Sequence, residues 1–336
     1  MNGDDRLLQK QIEVLLGAAG AAPSMHNTQP WRFEVNGNVI DVYLDRSRLL
    51  PVEDPTGRAA RIGVGAAIFN LRVAAAHLGL DGWFGLLPDD ERSDLMARVV
   101  VAPSVAAVPP LRLLYGQIER RHTERTPARD ADIPPSTRDE LQRVAFAEGA
   151  ELHWLTPDSL DRLMSLVVDA DLRASVDRWR TAERRHWIGG SRENDGVPHS
   201  ALGPRSATYP TVVRDLAATP RDHGRPAADF ERNPVLAVLS TEGDAPKDQL
   251  AAGMALQHVL LTATRRGVSA SFLNQPLEYD DLRSAVQSAT GRSGHAHMVI
   301  RFVPLVAHES APRRPVTDTL TSDTPTSAPD QEVQLS

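Results

Sequence analysis

The chain has 336 residues, of which 41% are hydrophobic, and its 44 acidic and 37 basic residues give a formal net charge of −7. This length predicts about two domain-sized units with a sizeable core. The overall negative field disfavours nucleic acid and anionic lipid as partners, so any anion-binding site must be local. The complete lack of cysteine excludes disulfides, thiolate metal sites, iron–sulfur clusters and cysteine nucleophiles, and it fits a cytoplasmic protein.

The first part of the chain predicts a helix followed by an antiparallel hairpin. Apolar residues recur at helical spacing from Leu7 to Leu16, and the helix should end before Pro23. Residues 31–35 and 39–44 alternate like strands around a turn at 36–38. A long Ala-rich helix is expected over 58–78, where Gly63 and Gly65 favour close helix packing over a nucleotide-binding loop.

The second part predicts further helices and strands around one long loop. The predicted helices cover about 111–125, 135–148, 159–187 and 249–266, and the predicted strands cover 151–155, 235–240, 268–273 and 296–303. The loop over 189–234 is rich in Gly, Pro, Arg and Ser, and the tail over 318–336 is predicted to be disordered. We therefore predict two half-domains, 1–108 and 109–317.

The two halves share a repeated pattern. Residues 63–82 and 253–271 each form a small-residue helix that runs into a glycine followed by an apolar residue. Such a repeat indicates duplication, although a helix followed by glycine also arises independently.

One loop carries a specific resemblance. The run from Ala22 to Phe33, APSMHNTQPWRF, resembles the flavin-contacting loop of FMN-dependent nitroreductases, and the closest likeness is to the Acg-like NAD(P)H nitroreductases of actinobacteria. The resemblance implies an α+β fold with a mixed, mainly antiparallel sheet flanked by helices in each half. It also implies FMN as the cofactor and NADPH or NADH as the electron donor.

The resemblance further implies a division of labour between the halves. Ordinary members are homodimers whose chains begin with an Arg-rich phosphate motif and continue to the Pro-Ser loop. Here the phosphate motif resembles residues 121–125, in the second half, whereas the loop is in the first. We therefore expect one FMN per chain at an internal pseudo-dimer interface, so that a monomer would suffice.

The resemblance assigns cofactor-binding roles at three places. Arginine forks suit a phosphate dianion, so Arg121 and Arg125 are the first candidates, with His122 and Thr123 between them. Near the end of the chain Arg314 is favoured over Arg313. The alternative is that these arginines only solvate the surface.

The flavin ring is assigned to polar loops. The first loop supplies Pro23, Ser24, Met25, His26, Asn27 and Gln29, unless it is only a turn that caps a strand. Backbone amides near flavin N5 are expected around Leu273 and Asn274, where the usual glycine of the family is missing. His295 and His297 could face one side of a strand, but a surface location is favoured over a metal site, and no metal is expected.

The predicted function is electron transfer from NAD(P)H to a nitroaromatic or quinone-type small molecule, with flavin N5 carrying the hydride and no catalytic side chain. The alternative is a protein that stores or sequesters FMN under a lid formed by 189–234. A protein that has lost FMN altogether is a third possibility, against which the retained arginines argue.

Overall fold

The computed structural model describes residues 6–104, 110–128, 132–216, 224–305 and 311–321. The predicted boundary at 108/109 and most of the predicted tail lie outside these residues. The described helices are α1 Gln9–Gly20, α2 Arg58–His77, α3 Pro135–Ala147, α4 Pro157–Val176, α5 Arg178–Trp187, α6 Pro246–Arg265, α7 Asp280–Ala289 and α8 Val316–Thr319. The described strands are β1 Trp31–Asn36, β2 Val39–Leu44, β3 Leu80–Leu86, β4 Leu95–Pro103, β5 Glu151–Trp154, β6 Arg205–Ser206, β7 Ala227–Ala228, β8 Val235–Thr241, β9 Val268–Phe272 and β10 His295–Pro304.

The fold is α+β and contains two similar sheets. The first sheet has the order β1-β2-β4-β3 and the second β5-β8-β10-β9, and every neighbouring pair in both is antiparallel. In each sheet the long helix, α2 or α6, follows the second strand and precedes the third. The two sheets therefore have one topology, as the repeat in the sequence predicts.

The centre of the molecule is the crossing of α2 and α6, which bury nearly all of their apolar residues against one another and the two sheets. Gly65 and Gly253 meet there, and each is the eighth residue of its helix. A Cβ atom on Gly65 would lie 2.1 Å from the Leu250 carbonyl oxygen, and one on Gly253 would lie 2.0 Å from that of Ile62. Only glycine allows this approach, so the packing role predicted for Gly65 is confirmed.

Polar contacts at the crossing repeat the same symmetry. Phe69 stacks on His258 with ring centroids 4.6 Å apart. The matching contact joins the residues at the exchanged positions, Asn70 and Gln257, whose side-chain amides bond at 2.8 Å. An approximate twofold axis thus passes through the helix pair, as it does between the subunits of a symmetric dimer.

The structure corrects several predicted elements. The helix predicted over 159–187 is two helices, because Asp177 ends α4 and accepts hydrogen bonds from the Trp179 and Arg180 N–H groups that begin α5. The helix predicted near 111–125 is only a 3₁₀ segment, Pro110–Gln117. β3 was not predicted, because its sequence, LDGWFGL, contains two glycines and alternates poorly.

The C-terminal segment returns to the first half. α8 contacts α1, and Leu320 bridges to Phe33 of β1 with a hydrogen bond from the Thr321 N–H to the Phe33 carbonyl. The first residues of the predicted tail, from 318, are therefore part of the fold. Its remaining residues lie beyond those described.

α2 is also long and apolar enough to cross a membrane, but 83% of the relevant window is buried inside the protein. Its composition is that of a core helix, consistent with its position between the two sheets. The cytoplasmic location stays a prediction.

Candidate functional site between the two halves

A cavity of about 1160 Å³ lies beside the helix crossing and is lined from both halves. This volume is above the usual range for small-molecule sites, about 300–1,000 Å³. The sequence-predicted residues on its wall are Pro23, Ser24, Met25, His26, Asn27, Arg121, His122, Thr123, Arg125, Asn274 and Arg313. Segments distant in the sequence thus converge on one space.

The predicted flavin loop connects α1 to β1 in an unusual conformation. His26, Asn27 and Gln29 all have positive φ, between 50° and 56°, which is costly for residues with a side chain. The loop is held by the Ser24 hydroxyl, which accepts the Gln29 N–H at 2.9 Å. It also lies close to α2, where a Cβ on Gly63 would be 3.3 Å from Ser24 Cβ.

Asn27 joins this loop to two other parts of the chain. Its amide nitrogen donates to the Gly196 and Pro312 carbonyls, both at 2.9 Å, and its oxygen accepts from Arg313 Nη1 at 3.0 Å. Such full use of one side chain offsets the cost of the strained backbone and fixes the loop against the cavity.

Three of the arginines predicted for the site, Arg121, Arg125 and Arg313, line the cavity and have no carboxylate partner among the described residues. Arg121, Arg125 and Arg313 donate only to carbonyl or amide oxygens, and no salt bridge joins them to the described acidic residues. The Nε atoms of Arg121 and Arg313 are buried and make no hydrogen bond within the part of the chain that the structure describes. Buried charge of this kind calls for an anion.

The pKa values of the three guanidiniums are lowered, as expected for buried cations that lack a carboxylate partner in the described part of the chain. Burial lowers the pKa of Arg121 to about 9, and the neighbouring Arg313 adds to the effect. Burial also lowers the pKa of Arg313 to about 10 and that of Arg125 to about 10, the latter opposed by Glu124. All three remain cationic near neutral pH, so the site attracts an anionic group.

The structure reverses the predicted order of Arg313 and Arg314. Arg314 does not line the cavity, because its guanidinium donates to the Gln29, Trp31 and Asp318 carbonyls and lies 3.7 Å from Asp45. Arg313 is the one that faces the cavity. Sequence spacing could not distinguish neighbours that point in opposite directions.

Two other predicted residues also lie outside the cavity wall. Gln29 is fully buried and accepts the Arg314 N–H at 2.9 Å, so it supports the loop from behind. Leu273 is packed in the core with its N–H bonded to the Val299 carbonyl. Asn274 does line the cavity, while its Oδ1 accepts the Val299 N–H.

The Arg-rich segment is fixed in place by the second sheet. Thr123 forms a parallel bridge with Ala270 of β9, and the Glu124 N–H donates to the Ala270 carbonyl at 2.9 Å. This extended backbone, rather than the predicted helix end, directs Arg121 and Arg125 to the cavity.

The predicted lid covers part of the cavity. Val197, Pro198, Ser200, Ala201, Gly203, Val213 and Leu216 line it. Gly203 has a φ of +72°, and a Cβ there would lie 2.5 Å from the Arg125 carbonyl oxygen. The lid therefore lies directly against residues 121–125, the segment that resembles the phosphate motif. An apolar cluster of Leu50, Trp187, Ile188, Val197, Leu202 and Leu216 holds it down. Residues 217–223 lie outside the described part.

Beneath the lid is a buried charge cluster of His26, Glu53, Arg180, Arg184, Arg214 and Glu278. Glu53 contacts His26 at 2.5 Å, Arg184 at 2.6 Å and Arg214 at 3.3 Å, and its side chain is fully buried. Burial alone would raise the pKa of Glu53, but His26, Arg214 and Arg184 hold it well below its usual value. The cluster connects the predicted flavin-contacting loop to α5 and to the predicted lid.

The two halves differ at the connection that follows their first helix. Residues 21–30 lie between α1 and β1, whereas only residues 148–150 lie between α3 and β5. The second half therefore has no counterpart of the loop that lines the cavity.

Comparisons with known proteins find relatives that match most of the chain. "Putative NAD(P)H nitroreductase acg" of Mycobacterium tuberculosis strain ATCC 25618/H37Rv is 27% identical over 310 residues, covering 91% of this chain and 93% of the relative. "Putative NAD(P)H nitroreductase Rv3131" of the same strain is 28% identical over 291 residues, covering 86% of this chain and 84% of the relative. This chain resembles the Acg-like nitroreductases. The resemblance predicted from the loop is thereby confirmed.

A solved structure of a nitroreductase with bound FMN from Desulfitobacterium hafniense DCB-2 matches at 9% identity and a TM-score of 0.38, covering 62% of this chain and 97% of that one. No protein-family model matches the chain.

Several residues on the cavity wall were not predicted from the sequence. Glu53 and Asp54 precede α2, and Asp54 caps it by accepting the Ala59 and Ala60 N–H groups. Two acidic residues just before a predicted helix were a usable signal. Nothing in the sequence indicated Arg58 or Arg214, and His297, assigned to the surface, is fully buried on the cavity wall.

Proposed function

We propose that this protein binds one FMN per chain in the cavity between its halves and transfers electrons from NAD(P)H to a small-molecule acceptor of the nitroaromatic or quinone type. The observation that carries the proposal is the set of three arginines beside the strained polar loop, one buried and two half-buried, which have no carboxylate partner among the described residues. The names of the relatives, which describe NAD(P)H nitroreductases, support the reaction class.

The residues present fit the cofactor. Arg121, Arg125 and Arg313 would hold the phosphate dianion, and the unbonded Nε atoms of Arg121 and Arg313 provide donors for it. Ser24 and His26 would face the polar edge of the ring, and Asn27 on the same wall would hold the loop in place through its bonds to Gly196, Pro312 and Arg313. When bound, FMN would supply an N5 atom that accepts hydride.

The chain's own residues would position the cofactor and exclude water. Both walls of the cavity come from one chain, so a monomer would suffice for binding. The lid would limit solvent access, and the buried charge cluster would keep it closed over the loop. No described side chain is required as a general acid or base.

A matched pair of variants tests the cofactor proposal. Arg120 is exposed and bonds only to Gln117, whereas its neighbour Arg121 faces the cavity. Visible absorbance of reconstituted protein should give one flavin per chain for wild type and Arg120→Met, and much less for Arg121→Met. A ratio of about two, or equal loss in both variants, would refute the proposal.

The second candidate function is FMN storage, which the lid itself favours. The bonds from Asn27 to Gly196 and from Gln29 to Asn194, with the Arg48–Asp195 ion pair, fasten this segment to the loop. Anaerobic addition of NADPH or NADH to flavin-loaded protein separates the two functions. Rapid bleaching supports the reductase, and a persistent yellow colour that only dithionite removes supports storage.

A further inference from the structure

A second polar region of the cavity lies away from the three arginines. It is formed by α7, β10, the segment after β8 and the start of α2. Its residues on the cavity wall are Arg58, Asp244, Arg283, Gln287 and His297. None of them belongs to the cofactor site proposed above.

His297 presents a fixed hydrogen-bond acceptor in this region. Its Nε2 lies 2.6 Å from the Thr241 hydroxyl, which donates its own proton to the Gly243 carbonyl at 2.7 Å. Because a hydroxyl has one proton, Thr241 must accept from His297, and Nε2 therefore carries the hydrogen. Nδ1 then presents a lone pair, and this buried atom has no partner among the described residues.

The histidine stays neutral near physiological pH. Burial lowers the pKa of His297 to about 3, and the charges of Arg58 and Arg283 act in the same direction. His297 also lies at a register shift between Ala296 and Met298 in the pairing of β10 with β8, a bulge of the kind found beside functional sites.

Gln287 presents a second fixed acceptor nearby. Its Nε2 donates to the Arg292 and Ser293 carbonyls at 3.1 and 2.9 Å, and since both partners only accept, the orientation of the amide is determined. Its Oε1 is buried, and no described residue bonds to it. A Cβ on Gly294 would lie 2.6 Å from the Thr241 carbonyl oxygen and 3.8 Å from Gln287 Nε2, which places this amide close to the Thr241–His297 pair.

The surrounding charges restrict what can satisfy these acceptors. Arg58 is buried and donates to the His297 and Leu277 carbonyls at 3.0 and 3.1 Å. Arg283 forms a double ion pair with Asp244 at 2.6 and 2.7 Å. The positive charge of Arg58 disfavours an ammonium group, and the lone pairs of His297 Nδ1 and Gln287 Oε1 disfavour a carboxylate.

We propose that this region is a second ligand subsite, which takes the neutral, N–H-donating end of a small molecule, namely a primary carboxamide or an aromatic amine. The two N–H bonds of such a group would satisfy His297 Nδ1 and Gln287 Oε1. Binding here is separate from the cofactor arginines and does not require flavin chemistry.

Three probes of one shape test the charge requirement. Calorimetric titration of the full chain with benzamide, benzoate and benzylamine should show saturable binding of benzamide, at least about tenfold tighter than either charged analogue. Arg121→Met should retain benzamide binding, because the cofactor arginines are not involved. Equal binding of all three probes, or none of benzamide, would overturn the proposal.

A variant and a spectroscopic measurement locate the binding. His297→Phe should raise the Kd of benzamide about tenfold, whereas His77→Phe, at an exposed histidine outside the cavity, should leave it unchanged. If His297→Phe does not fold, ¹⁵N spectra of wild-type imidazoles decide instead. The unprotonated Nδ1 signal of one buried histidine should shift on adding benzamide, and an unresponsive signal would contradict the subsite.

Discussion

The residues that follow α1 and α3 occupy equivalent positions in the two halves, but buried charges are paired after α3 and are left without a counter-charge after α1. After α3, Glu148 contacts Arg72 at 2.6 Å and His258 at 3.1 Å. Burial works against ionisation of Glu148, but these partners outweigh it and lower its pKa. After α1, Arg121 and Arg313 both reach the Ala21 carbonyl, at 3.4 and 3.3 Å, with no carboxylate between them.

The residues after α3 therefore form a structural contact, whereas the residues after α1 form part of a candidate binding site. Where the chain supplies its own counter-charge, the ion pair closes the interface, and a three-residue connection is enough. After α1 the chain leaves cations unmatched and adds a strained loop, which lowers the stability of the ligand-free protein. A bound anionic ligand would supply the missing charge. The two halves thus offer equivalent positions, and only the position after α1 leaves its cations without a counter-charge among the described residues.

The largest effect on stability should come from the crossing of α2 and α6, which joins the two halves. Gly65→Ala should lower the free energy of unfolding by at least ~3 kcal/mol, because the new methyl group would collide with the Leu250 carbonyl. Gly17→Ala, in an exposed position of α1 with no atom near its Cβ, should be neutral or stabilise by up to ~1 kcal/mol. Urea denaturation compares the two, and similar values would show that the halves do not depend on this contact.

A carboxylate placed after α1, like the Glu148 carboxylate after α3, should remove the difference in charge between the two positions. Ala21→Glu would pair with Arg121 or Arg313, and we expect flavin affinity to fall about a hundredfold, equivalent to ~2.7 kcal/mol. Ala21→Gln has nearly the same shape without the charge and serves as the control. Equal losses in the two variants, measured by flavin fluorescence titration, would show that shape rather than charge decides.

The buried charge cluster should make the loop side of the interface acid-sensitive. Because the folded-state pKa of Glu53 lies below its unfolded value, its stabilisation is present above the unfolded pKa and is lost as pH falls towards the folded one. Glu53→Gln should be less stable than wild type at pH 7 by on the order of 2 kcal/mol, with the difference shrinking in acid. A difference that stays constant between pH 7 and pH 3 would contradict this account.

The smallest effect is a gain in stability. Burial has lowered the pKa of Arg121 to about 9, so Arg121 remains cationic at neutral pH, but holding its charge costs the folded protein free energy. Arg121→Met should therefore stabilise the flavin-free protein by about 1 kcal/mol while weakening flavin binding. Thermal melting of flavin-free samples tests this, with Arg120→Met expected to match wild type. A lower melting temperature for Arg121→Met would mean that Arg121 is structural.

Local pattern was sufficient for much of the architecture and part of the site. The β1–β2 hairpin and the two long small-residue helices were predictable from periodicity, and the convergence of loop 23–27 with Arg121 and Arg125 was implied by the family resemblance. The choice of Arg313 over Arg314 was not, since it depends on which side of the segment faces Gln29 and Trp31. Glu53, Arg58 and His297 also could not be predicted as neighbours, because only the tertiary fold brings α2, β10 and the lid together.

The bond between Asn27 and Arg313 joins residues 286 positions apart in the chain. During synthesis the loop emerges from the ribosome early, but its cationic partner follows only after both sheets have been translated. Cofactor capture should therefore be a late event in the life of each molecule, and partly synthesised chains would hold the loop without the means to retain a ligand. Supply of the cofactor would then affect finished molecules rather than the folding of the first half.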